Sequence, residues 1–135
     1  MDVITHFESV VLGELDLRLE SSAASEFAAN TAQDEGFTLP VIKWPHSSRR
    51  VMTMSWAEGV PMGDNAAIDA AGHTRQALST RVLQLFLNHA LRDGYFHADM
   101  HQGNMKVAPN GDIIAYDFGI MGHIDEYTRR VYAEI

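Results

Sequence analysis

His97-Ala98-Asp99-Met100-His101-Gln102-Gly103-Asn104, followed thirteen residues after Asn104 by Asp117-Phe118-Gly119, is the stretch on which the reading of this chain turns. Between its two parts, the β-rich runs Met105-Lys106-Val107 and Ile113-Ile114-Ala115-Tyr116 flank Pro109-Asn110-Gly111-Asp112. Asn-Gly there predicts a hairpin with a two-residue turn. A hairpin fixes the separation of its ends, so Asp99 and Asn104 are expected at a set distance from Asp117. Asp117 and Asn104 offer the hard oxygen donors that Mg²⁺ prefers.

Histidine, one residue, aspartate, then asparagine five positions past that aspartate, with a hairpin leading to Asp-Phe-Gly, reproduces the order and spacing of the kinase catalytic and metal-binding loops. The wording His-Ala-Asp-x-His-x-Gly-Asn is more specific and resembles the UbiB family of atypical kinases associated with ubiquinone biosynthesis. Glu14-Leu15-Asp16 matches that family's Glu-x-Asp. The resemblance implies an α+β, partial protein-kinase-like two-lobed fold that binds ATP with Mg²⁺. It assigns Asn104 and Asp117 to the metal, Asp99 to the acceptor side, and His97 to orienting the loop. Glu20 takes the place of the helix glutamate that pairs with a nucleotide-binding lysine, and Glu14 and Asp16 border the same cleft. Glu58 and Gly59 belong to a hinge, Ser55 to Gly59, that would present its main chain to adenine, with Gly59 keeping the loop adaptable. Taken without the loop, Glu14, Asp16 and Glu20 read rather as the wet face of an amphipathic helix, which is what acidic helix residues usually are.

Working outward, Leu12, Leu15, Leu19, Ala23 and Phe27 recur every three or four residues, which predicts a first helix from about Val10 to Gln33 with one apolar face. Leu39 to Trp44 and Arg50 to Trp56 read as an antiparallel strand pair around Pro45-His46-Ser47-Ser48. That pair is expected to receive the helix's apolar face. A Gly-, Pro- and Asp-rich linker covers Ala57 to Asp69. From Thr74 to Asp93 the apolar residues cover more than one face, predicting a helix buried on several sides that stops at Gly94. Asp125 to Ile135 reads as a helix still in pattern at its last residue. The expected division is 1–56, a remnant of the small lobe with its helix and two strands, and 57–135, the hinge and first half of the large lobe.

Composition narrows the partners. Ten basic against 18 acidic residues give a net charge of −8, which argues against holding nucleic acid through phosphate neutralisation. There is no cysteine, so disulfides, thiolate metal sites and thiol nucleophiles are excluded. His97, His101 and His123 lack the spacing of a zinc site. Seven methionines read as gap-filling core residues. No apolar run is long enough to span a bilayer, and residues 1–12 lack the pattern of a signal peptide.

The chain departs from the family at Met100 and Gln102, where proline is usual, and at Ser55, where an acidic residue is common. Its only lysines, Lys43 and Lys106, both follow Glu20, whereas a kinase lysine comes from a strand before that helix. The nucleotide-covering loop and the family's Lys-x-Gly-Gln segment are absent too. The resemblance spans about Leu12 to Arg130 and corresponds to a central part of the family's domain, a fragment expected to be inactive alone. It implies a nucleotide partner, a lipid or quinone precursor and membrane-associated biosynthetic proteins, and a place in the cytoplasm or at the inner membrane. A catalytically inert nucleotide-binding or scaffold module is the rival reading. Oxygen chemistry has no flavin or iron motif to support it.

Overall fold

The computed structural model describes residues 3–4 and 15–134. Helix α1 spans Leu17–Asn30 and starts at Asp16, whose carboxylate accepts the N–H of Arg18 as an N-cap. It ends where the Thr31 N–H and hydroxyl both donate to the carbonyl of Phe27, short of the expected Gln33. The buried face also differs from the one periodicity suggested. Leu15 and Leu19 are 60% and 61% exposed, while Ser21, Ala24 and Phe27 are buried. A polar Ser21 is tolerated inside because its hydroxyl donates to the Leu17 carbonyl at 2.7 Å.

Phe27 explains the rotation. Its ring meets Phe37, His89, Tyr95 and Phe118 edge-on at 5.0–6.5 Å. The helix therefore packs on the residues flanking both loops, and its large aromatic outweighs the leucines in setting the inward face.

Strand β1 (Phe37–Thr38) runs parallel to β5 (Ile113–Ala115), which pairs antiparallel with β4 (Met105–Val107), and β2 (Val60–Pro61) completes the order β1-β5-β4-β2. This sheet joins segments on both sides of residues 56 and 57. The hairpin between β4 and β5 forms as expected, but its loop has three residues rather than two. Ala108 N–H donates to the Asp112 carbonyl and Gly111 N–H to that of Ala108. Gly111 takes the left-handed conformation that such a bulged loop requires, with φ of 91°.

Residues 39–56 run antiparallel without becoming a regular ladder. Two isolated bridges, Ile42 with Met54 and Ser48 with Val51, flank a 3₁₀ turn at Trp44–His46. Pro40 and Pro45 have no N–H to give. Side chains fill the gaps: Val41 N–H donates to Ser55 Oγ, Thr53 N–H to Ser47 Oγ, and Thr53 Oγ1 to the His46 carbonyl.

Helix α2 (Asn65–Ala70) leads to α3 (Arg75–Asn88), which widens into a π turn over His89–Asp93 before Gly94. The expected several-sided burial of α3 is not seen. Leu78 and Leu85 are buried, but Leu83, Leu87 and Leu91 face out, because only one side of α3 meets packed elements among the described residues. The π turn carries His89 inward, where its Nε2 lies 2.9 Å from Asp34 Oδ2. Arg92 clamps both oxygens of Asp34, at 2.6 and 2.9 Å.

Strands β3 (Tyr95–His97) and β6 (Met121–His123) form a second, antiparallel pair with His97 opposite Met121. Helix α4 (Glu126–Ala133) follows, capped by Asp125. The core gathers Phe27, Phe37, Ile68, Leu78, Leu85, Tyr95, Met105, Val107, Ile113, Ala115 and Phe118. No helix among the described residues is long and apolar enough to cross a membrane.

Candidate functional site: two loops tied to a helix

β3 delivers His97 to the start of the first loop, and its pairing with β6 sets that loop beside the segment following Asp117. His97 is buried. Its Nε2 bonds the backbone carbonyl of Asp117, and its Nδ1 accepts the N–H of Asp99 at 3.1 Å. An acceptor role for Nδ1 leaves the ring proton on Nε2, donating to that carbonyl. Burial pushes the His97 pKa down, so the ring is neutral. One side chain thus staples the two loops.

Asp99 is held from within its loop. Asn104 Nδ2 donates to the Asp99 carbonyl at 3.2 Å and to its Oδ2 at 3.1 Å. His101 Nδ1 accepts the Gly103 N–H at 3.0 Å, and its Nε2 stands 3.5 Å from the same Oδ2. With Asn104's amino group spent on Asp99, its carbonyl oxygen Oδ1 is the end left to meet a cation. Asp117 is exposed, and its Oδ1 accepts the Gly119 N–H at 3.1 Å. A carboxylate and an amide oxygen, one from each loop, suit Mg²⁺, which takes few protein ligands and completes its shell with phosphates and water.

Glu20 reaches this assembly from α1. Its Oε1 accepts the backbone N–H of Phe118 at 3.1 Å. Glu20, Asp117, His97, Asp99 and Asn104 are therefore linked by successive hydrogen bonds or neighbouring positions in the chain. Phe118 is buried behind them against Phe27.

Asp16, Glu58 and Gly59 make no hydrogen bond in this series. Asp16 is the cap of α1, bonded to Arg18 Nε at 2.9 Å and Nη2 at 2.6 Å, which holds its pKa down to about 2. Glu14 lies outside the described residues. Glu58 is exposed and helps line a separate cavity of about 380 Å³, with Trp56, Asn110 and Asp112. Gly59 packs onto β4 so closely that a Cβ would meet the Val107 carbonyl oxygen at 2.4 Å. The absence of a side chain at Gly59 is what permits this close contact.

The sequence reading missed three groups. His101 reaches Asp99, Tyr116 donates its hydroxyl to the Gly103 carbonyl, and Lys106 donates to the Ala57 carbonyl at 3.1 Å. Strand alternation could have found the last two. Met105, Val107, Ile113 and Ala115 fill the core, which turns Lys106 and Tyr116 to the opposite face.

Comparison with known proteins agrees with the geometry. The family model described as the ABC1 atypical kinase-like domain matches residues 1–135. Two relatives named "Probable protein kinase UbiB", from Xylella fastidiosa strain M12 and Xanthomonas euvesicatoria pv. vesicatoria strain 85-10, are each 34% identical over 139 residues. Each match covers 98% of this chain and 25% of the relative, so the chain spans about a quarter of their length. Among solved structures, Rv3197 of Mycobacterium tuberculosis in complex with erythromycin superposes with a TM-score of 0.69 at 32% identity. That match covers 90% of this chain and 31% of Rv3197.

Proposed function

The chain belongs to the ABC1 atypical kinase-like family, and from that premise we propose that it is the nucleotide- and metal-handling centre of a UbiB-like kinase or ATPase. In this reading it binds ATP with Mg²⁺ and, within a longer protein, supports ubiquinone biosynthesis at the membrane periphery through a lipid or quinone precursor and membrane-associated biosynthetic proteins. Residues 1–56 act as the remnant of a small lobe, and 57–135 as hinge and first half of a large one.

The observation that carries the reading is the linked series from Glu20 through Phe118, Asp117, His97 and Asp99 to Asn104. Phosphoryl transfer is mostly positioning and electrostatics, so rigidly held oxygens matter more than reactive groups. Asp117 and Asn104 would hold Mg²⁺, which would supply positive charge to offset that of the phosphates. Asp99, fixed by Asn104, orients and accepts the proton of the attacking hydroxyl or water. His97 keeps the two loops in register, and Glu20 keeps the Asp117–Gly119 turn against α1.

A second reading, an inert nucleotide-binding or scaffold module, draws on the same carboxylate. Glu20 already spends an oxygen on the Phe118 N–H rather than on a cationic side chain. Calorimetric titration of ATP with and without Mg²⁺ tests the leading proposal, using the native chain and Asp117→Asn. Binding should require Mg²⁺ and weaken by about tenfold or more in the variant, the cost of roughly 1.4 kcal/mol or more. Equal, Mg²⁺-independent binding by both would overturn it. Phosphate release under single turnover then separates enzyme from inert module.

A further inference from the structure

Lys106 has no part in the roles assigned above, yet it sits where they would meet a nucleobase. β4 and β5 send Met105, Val107, Ile113 and Ala115 into the core, so Lys106, Ile114 and Tyr116 share the other face of the hairpin. The segment 55–59 crosses that face on its way to β2, and the half-buried Lys106 ties the two together. Its Nζ donates to the Ala57 carbonyl at 3.1 Å, lies 4.8 Å from the centre of the Trp56 ring, and 5.8 Å from that of Tyr116. Trp56 is otherwise 85% exposed. Tyr116 directly precedes Asp117, so this group of carbonyl, indole and phenol adjoins the candidate metal site.

An ammonium group has donors and no acceptor. Here one donor is used on a main-chain carbonyl and the charge is shared by two ring faces. Those are the groups a base would use against this segment: a carbonyl for an exocyclic amino group, and aromatic faces for stacking.

We propose that Lys106 is a specificity-determining residue of the base site, a built-in occupant that a nucleotide displaces only by matching its hydrogen bond to Ala57 and its contacts with Trp56 and Tyr116. The inference rests on the nucleotide reading above and adds to it the residue that sets how stringently the base is chosen. A polyphosphate without a base can replace neither contact, so Lys106 does not oppose it. Adenine, with a π-face and an amino donor, can replace both.

The experiment is calorimetry with Mg²⁺-ATP and Mg²⁺-tripolyphosphate on the native chain, Lys106→Met and Lys106→Arg. Lys106→Met should bind ATP about fivefold to seventyfold more tightly, the size of one exposed cation–π contact together with a net hydrogen bond. Tripolyphosphate affinity should not rise. Lys106→Arg, which keeps a cation able to sit on both rings, should stay near the native value. Lys106→Gln serves in place of the methionine variant should that one fail to fold.

Unchanged or weaker ATP binding by the neutral variants overturns the inference, as does a rise shared equally by ATP and tripolyphosphate. Tripolyphosphate binding without ATP binding in any of these proteins also removes the base site. Binding of neither ligand by any of them removes the nucleotide reading itself, and this inference with it.

Discussion

Replacing Phe27 by alanine should cost more than any other single truncation in α1. Phe27 is fully buried, and its ring meets Phe37 at 5.7 Å, His89 at 5.0 Å, Tyr95 at 6.0 Å and Phe118 at 6.5 Å. Phe→Ala in a core costs about 3–5 kcal/mol through lost transfer and the cavity left behind. Four edge-on partners place this site toward the upper end, because such pairs add to simple area burial. Native stability is about 5–15 kcal/mol in total, so the variant sits near the threshold of folding. At about 4 °C per kcal/mol for a chain of this size, the melting temperature should fall by about 12–20 °C. Urea unfolding followed by circular dichroism gives the free energy directly. Phe27→Leu, which keeps most of the apolar volume but gives up the edge-on ring contacts, should lose less than Phe27→Ala. A loss under about 1 kcal/mol for Phe27→Ala would refute the claim that this ring, rather than the leucine stripe, fastens α1 to the loops.

Acid should destabilise the fold through Asp34 and His89. Burial lowers the His89 pKa despite its bond to Asp34, so the neutral ring's contribution is complete above the ordinary imidazole range and is lost as pH falls through the lowered value. Asp34 is held below the ordinary carboxylate range first by Arg92, so its contribution is present above that range and lost further down in acid. Both signs agree, and urea midpoints that stay flat from pH 8 to pH 4 would contradict them. Asp99→Ala, in a form of the protein that turns over, should lower the rate far more than nucleotide affinity, which transient kinetics can separate; the reverse pattern would move Asp99 out of the acceptor role. Glu20→Ala should leave the Phe118 N–H without its carboxylate, costing about 1–3 kcal/mol. Faster hydrogen exchange at the Phe118 amide would report it, and an unchanged rate would mean that Glu20 does not hold the turn.

The local sequence determined the loops. The spacing of His97, Asp99, Asn104 and Asp117 around a hairpin is a short-range property, so the β4–β5 pairing and the nearness of the two loops were legible before any packing was known. Loop length was less so: Asn-Gly suggested two residues, and the bonds made by Ala108, Gly111 and Asp112 set three. The inward face of α1 was decided by tertiary contact. Period alone cannot rank Leu19 against Phe27, and the aromatic cluster of Phe37, His89, Tyr95 and Phe118 comes from distant parts of the chain. Asp16 followed the same rule, since whether a carboxylate caps its own helix depends on where that helix begins. Only the fold could bring the Phe118 N–H to Glu20 across ninety-eight positions, or lay Lys106 against the Ala57 carbonyl. Such contacts join segments whose separation in sequence carries no periodic signal, and the close packing of the core fixes them.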